Sequence, residues 1–103
     1  MQFTRLRQDY RTRKLSPVQV IEQVYQRIDA RGQDYVWTNL ADRANVRSQA
    51  LALASRINEL DALPLFGLPF GVKDNVHVAG VPTTCGCPGY TSMPVQTAEA
   101  VRR

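Results

Sequence analysis

A chain of 103 residues holds one small domain at most, or part of a larger one. Its 44% hydrophobic and 21% charged residues are those of a globular protein, and no apolar run approaches the roughly 18 residues a membrane span needs. The net charge of +4 is modest, and no aromatics interleave a basic run, so nucleic-acid binding is not indicated.

No apolar h-region with a cleavage site opens the chain, which argues against secretion and for the cytoplasm. Arg5, Arg7, Arg11, Arg13 and Lys14 stand against one acid, Asp9. These charges are scattered rather than massed, so they read as a solvated helix face, not a presequence or a nucleic-acid arm. Thr4 can cap that short helix, which carries Leu6 and Tyr10 on one side and ends near Lys14. Ser16-Pro17-Val18-Gln19 is a better start signal: serine at the cap, proline at the first helical position, glutamine closing a capping box. Ile21, Val24, Tyr25 and Ile28 recur at helical spacing, and Gly32 supplies the stop.

Tyr35-Val36-Trp37-Thr38 predicts a short strand, with Trp37 packing in it rather than serving as a ligand platform. A long helix is then predicted from about Ala41 to Leu60. Val46, Ala50, Leu53, Ile57 and Leu60 form its continuous stripe, widened by Ala44, Leu51 and Ala54. The stripe is core, or in the alternative reading a face that docks on another chain. Leu63-Pro64 ends this helix.

From Leu65 to Val72 the residues are apolar or glycine apart from Pro69, which suits a strand covered on both faces. Lys73 follows. A buried ammonium is costly, so it pairs with a carboxylate or loses its proton, and a neutral lysine can act as a base. The plainer reading is a strand-end lysine that pairs with Asp74 or snorkels to water. Asp74 and Asn75 fix the turn after the strand. Val76-His77-Val78 is extended, Ala79-Gly80-Val81-Pro82 turns, and Thr83 to Gly89 is a small, glycine-rich loop whose amides can approach a ligand. Thr83 and Thr84 either line the substrate side or tie this loop by hydrogen bonds. His77 has no evident partner as a general base and reads as a loop histidine.

Cys85 and Cys87 lie two apart, where a disulfide would be strained, so free thiols in a reducing compartment are expected. A metal site would need more ligands than these and His77 provide, so no metal is expected. Thr97 can cap a last helix running to Arg103.

The run Pro64 to Asn75, followed by Val78-Ala79-Gly80-Val81-Pro82-Thr83-Thr84, resembles the opening motif of the amidase signature family. Leu15-Ser16-Pro17 matches a common feature of that family's first helices. Cys87-Pro88 with Tyr90 is similar to its allophanate hydrolase branch, which releases ammonia from allophanate in urea breakdown. Gly71 and Gly86 stand where the family commonly has alanine.

The resemblance implies an α/β fold: helices packed on the first strands of a mixed sheet, present here only as the incomplete N-terminal portion of the amidase signature fold. Residues 1–63 would be the helical lead-in, 64–92 the motif strand and active-site loop, and 97–103 the start of the next helix. It also implies a hydrolase of carbon–nitrogen bonds using a Ser–cis-Ser–Lys relay, in which Lys73 is the catalytic lysine. Gly67, Asp74, Asn75 and Gly80 support the motif. The matching serines lie downstream in the family; Ser16, Ser48, Ser55 and Ser92 sit in no such context, so the nucleophile is none of these and the isolated chain is expected to be inactive. No cofactor is implied. The implied partner is a small amide bound by the full-length enzyme, which is expected to act without nucleic acid or membrane and to form a homodimer. The competing reading is a non-catalytic helical interaction module derived from an amidase. Strands with open edges and exposed apolar faces would make the piece poorly soluble alone.

Overall fold

The computed structural model describes residues 2–103, which divide into two compact units. The first comprises Met1–Gln33 and Asp42–Pro69, the second Asp34–Ala41 and Phe70–Arg103.

The first unit holds α1 (Phe3–Arg11), α2 (Pro17–Arg31) and α3 (Arg43–Ala54), followed by a 3₁₀ turn at Ile57–Glu59. α1 begins before Thr4, at Phe3, behind an N-cap residue Gln2 that makes no side-chain cap bond. It stops at Arg11, because Thr12 and the left-handed Arg13 turn the chain away. α2 opens as expected: the Ser16 hydroxyl accepts from the Gln19 amide, and the Gln19 side chain accepts from the Ser16 amide. It closes at Gly32 with φ +64°. α3 is capped by Asp42, whose carboxylate accepts from the Asn45 amide at 3.1 Å, a signal the sequence reading missed. It is shorter than predicted, and the stripe continues through the 3₁₀ turn instead of an unbroken helix.

That stripe faces inward. Ala50 and Leu60 are buried, and Leu53 and Ile57 pack against a core of Leu6, Tyr10, Val20, Leu60 and Phe66. The widening row holds only in part: Ala44 and Leu51 are exposed, and Ala54 is half-buried. α2 and α3 pack together, and Arg43 on α3 reaches Glu22 at 2.6 Å and Asp29 at 3.4 Å on α2. The first helix is not simply a solvated charged face. Arg7 donates to the carbonyls of Leu60, Leu63 and Pro64 at 2.8–3.0 Å, tying down the irregular end of the α3 region.

No β-strand occurs among the described residues, which corrects the sheet expected at Tyr35–Thr38 and Leu65–Val72. Between Pro64 and Leu68 the chain turns, with Phe66 N–H bonded to Leu63 O and Leu68 N–H to Leu65 O. The turn drives Phe66 into the core, edge-on to Tyr10 with ring centroids 5.9 Å apart. From Leu68 to Lys73 the chain takes up no regular structure and makes no ladder pairing among the described residues. Extended backbone becomes a strand only when another strand takes its hydrogen bonds. Phe70, Val72, Tyr35 and Val36 are accordingly exposed, in keeping with the open apolar faces expected of the chain.

The second unit is held by turns. Two isolated antiparallel bridges, Val78 with Val81 and Thr83 with Ser92, are its only β pairing among the described residues. A 3₁₀ turn spans Pro88–Tyr90, and α4 is the short Glu99–Arg102. Thr97 does not cap α4; its hydroxyl accepts from the Ala79 amide at 3.0 Å, and Ala98 takes the cap position without a side-chain bond.

Gly67 has φ +66°, and its carbonyl accepts from the Tyr10 hydroxyl at 2.8 Å. A Cβ at Gly67 would lie 2.6 Å from Tyr10 Cε2, inside contact distance with a buried ring. Gly67→Ala is therefore expected to destabilise the first unit by about 2–4 kcal/mol, from positive φ and overpacking together. Urea unfolding followed by far-UV circular dichroism checks it; an unchanged midpoint would mean that Tyr10 does not fix this turn. Burial also pushes the Tyr10 phenol up to about 12 from its ordinary 10.0. The folded state favours the neutral phenol, so this contribution is intact below pH 10 and is lost as pH rises toward about 12. Urea midpoints followed as pH is raised through this range should fall in wild type and lose that alkaline slope in Tyr10→Phe.

Candidate active site

The site assembles in the second unit around Lys73, Asp74 and the loop from Thr83 to Cys87. Asp74 organises it. One carboxylate oxygen accepts from the Thr84 amide at 2.9 Å; the other accepts from the Thr84 hydroxyl and, at 3.3 Å, from the Gly86 amide. Its main-chain carbonyl takes the Cys85 amide at 2.9 Å. Gly86, at φ +74°, and Cys85, at φ +54°, bend the chain so that these donors converge. The Thr84 hydroxyl, and after it the Thr84 amide, hold the Asp74 carboxyl below its usual range, because hydrogen bonds to the charged form favour it. Asp74 and Asn75 thus do more than fix a turn: the carboxylate clamps a loop ten residues further on.

Lys73 is exposed, which corrects the expectation of a buried amine. The chain after Pro69 runs open to water, and nothing among the described residues covers the side chain. Lys73 makes no ion pair among the described residues, and Asp74 is spent on Thr84 and Gly86 instead. Lys73 nonetheless lines a cavity of about 200 Å³ together with Trp37, Asn39, Val72, Asp74 and Thr83.

The two threonines separate in role. Thr83 is buried, pairs its backbone with Ser92 at 2.8 and 2.9 Å, and lines the cavity. Thr84 is also buried, but its hydroxyl is committed to Asp74, so it ties the loop and does not face the cavity. Gly80 (φ +78°) completes the Val78–Val81 turn, in which the Val81 amide bonds Val78 O at 3.1 Å. Gly67 belongs to the first unit, against Tyr10. Asn75 and His77 are exposed, and His77 contributes its carbonyl to the Ala98 amide at 2.9 Å. Cys85 and Cys87 are free and exposed. The sequence reading missed the segment Val36–Asn39 as a wall of the cavity. Short-strand packing, the sequence expectation for Trp37, gives no sign of its approach to Gly71, which no spacing rule shows.

Residues 19–103 match the family described as Amidase. The chain belongs to that family. Its urea amidolyase relatives include that of Saccharomyces cerevisiae, 40% identical over 68 residues, which is 66% of this chain and 4% of that protein. The urea amidolyase of Lachancea kluyveri is 40% identical over 62 residues, 60% of this chain and 3% of that protein. A Mycobacterium bovis protein named as a candidate amidase, AmiB2, is 42% identical over 62 residues, 60% of this chain and 13% of its own length. The chain therefore spans only a small part of each of these relatives. No solved structure matches it. Within the matched residues, Asp74 and Thr84 are a hydrogen-bonded pair.

Asp74→Ala is expected to raise amide exchange at Thr84 and Gly86 by on the order of tenfold while leaving the amides of α2 unchanged. The clamp needs the carboxylate, whose pKa is depressed in the folded state. Its contribution is full above the ordinary value of 3.8 and fades as pH falls below it through the folded value. Amide shifts of Thr84 and Gly86, recorded from pH 6 downward, should move together below that point; shifts that stay level in wild type would remove the clamp.

Proposed function

We propose that this amidase-family chain supplies the lysine of an amide hydrolase that acts on small carboxamides or urea-derived amides, allophanate among them. The single observation that carries the reading is Lys73 at the wall of a small cavity, beside a loop that Asp74 holds in place. The two yeast relatives named urea amidolyase support the urea-derived substrate class. A serine attacks an amide carbonyl poorly unless a base takes its proton, and a lysine serves as that base when desolvation favours its neutral form. In our reading the serines, the oxyanion donors and the cover over Lys73 come from residues outside these 103, which makes the chain inactive alone. The exposed free thiols suit a reducing cytoplasm. No helix among the described residues is long and apolar enough to cross a membrane.

The interaction-module reading has less support. The stripe it needs, from Val46 to Leu60, is used within the first unit, where Leu53 and Ile57 pack on the core.

The test is ammonia release from allophanate and from acetamide by the enzyme whose reading frame contains these residues. Lys73→Ala should lower kcat/KM by at least about 10³-fold, and Lys73→Arg should not restore it, since a guanidinium does not act as a base. The 103-residue chain assayed by itself should release none. Wild-type turnover in Lys73→Ala would remove the hydrolase assignment from this site.

A further inference from the structure

We infer that the Cys85–Gly86–Cys87 turn is a two-thiolate binding site for a soft monovalent cation, Cu(I). The inference stands apart from the hydrolase reading: it needs no substrate, no serine and no cavity. Both thiols are free and exposed, and the proposed hydrolysis gives neither a task. They sit on one tight turn. The Thr84 carbonyl accepts from the Cys87 amide at 2.9 Å, and the two residues between, Cys85 at φ +54° and Gly86 at φ +74°, both carry positive φ. That is the type I′ pattern, which folds the chain back on itself. Two steps of about 3.8 Å bent through such a turn leave the α-carbons of Cys85 and Cys87 roughly 5–6 Å apart. The turn is also held before any ligand arrives. The Asp74 carboxylate accepts from the Thr84 amide at 2.9 Å and the Gly86 amide at 3.3 Å, and the Asp74 main-chain carbonyl takes the Cys85 amide at 2.9 Å. A cation bound there orders little chain, so little affinity is lost to entropy.

The donor set chooses the ion. Among the described residues no group of three or more His, Cys, Asp and Glu side chains could hold a metal. Structural zinc wants four such ligands, and calcium and magnesium want oxygens. Thiolates are soft donors that select Cu(I), and this closed-shell ion is satisfied by two of them in a line. The ligand count that argues against zinc therefore does not argue against Cu(I). Metal–sulfur bonds of about 2.3 Å space the two sulfurs about 4.6 Å apart across a linear ion. A disulfide instead needs them about 2.05 Å apart at a fixed dihedral. Side chains rooted at turn spacing reach the wider separation without bending the backbone. On binding, two S–H bonds break and two Cu–S bonds form. The two protons leave to water, and copper keeps its oxidation state.

The test titrates the purified, reduced chain anaerobically with Cu(I) held by bicinchoninate, a coloured competitor, for wild type, Cys85→Ser, Cys87→Ser and Asp74→Ala. Wild type should draw one Cu(I) per chain from the competitor. Each serine variant should bind at least about 30-fold more weakly, since one thiolate replaces two. Both substitutions fall on exposed side chains outside the core. Asp74→Ala, which frees the turn but keeps both thiols, should weaken binding by about three- to tenfold. Cu(I) is diamagnetic, so amide shifts can be followed as well; they should move at Cys85, Gly86 and Cys87 and stay level in α2. No copper drawn by wild type, or an unchanged affinity in either serine variant, overturns the site. Half a copper per chain also overturns it, because the ion then bridges two chains. Equal affinity in Asp74→Ala or in urea-unfolded wild type overturns the part played by the turn.

Discussion

One carboxylate holds the candidate site together. Asp74 takes the Thr84 amide, the Thr84 hydroxyl and the Gly86 amide, while its carbonyl takes the Cys85 amide. A loop of threonines, glycines and cysteines has little apolar surface to bury, so its order must come from hydrogen bonds. A charged acceptor is the strongest partner such donors can find in a half-wet setting. The clamp also settles what Asp74 does not do. Asp74 makes no ion pair with Lys73 among the described residues, and the exposed lysine side chain lines the cavity.

The first unit solves a different problem. Its core is small, built from Leu6, Tyr10, Val20, Leu60 and Phe66, and it depends on close approach rather than on bulk. Tyr10 is the centre of that approach: its ring meets Phe66 edge-on and its hydroxyl reaches the Gly67 carbonyl. Gly67 is needed because its backbone is left-handed and because the tyrosine ring occupies the space of a side chain. Arg7 then closes the irregular end of the α3 region by donating to carbonyls that no helix satisfies. Charges that look like surface decoration in the sequence are structural, as the Arg43 contacts to Glu22 and Asp29 also illustrate.

On the proposal that Lys73 serves as a base, its exposure over these residues has a physical meaning. A lysine base needs a desolvated amine, and desolvation needs surrounding chain. Over these residues the surroundings amount to one cavity wall, formed by Val36–Asn39 and the Pro82–Thr83 turn. The apolar residues left in water beside it, Phe70 and Val72 among them, are surface of the kind that packing partners cover.

Local signals were legible in the chain itself. The Ser16–Gln19 capping box, the Gly32 stop and the inward stripe of Val46, Ala50, Leu53, Ile57 and Leu60 follow from rules that act within a few residues. The family was legible too, because the motif from Pro64 to Thr84 carries residue identities rather than a pattern. The Leu65–Val72 run was misread for a physical reason: an apolar segment specifies burial, not the strand partner, and here burial was met by a turn that inserts Phe66 beside Tyr10. The pairing of Asp74 with Thr84, the commitment of Thr97 to Ala79 and the placement of Trp37 on Gly71 join residues far apart in sequence, where no periodicity reaches. The amino-acid sequence by itself determined α2 with its two caps, the inward stripe of the α3 region and the family. Only the tertiary structure decided which polar groups meet and which side chains remain in water, because those outcomes depend on contacts between distant parts of the chain.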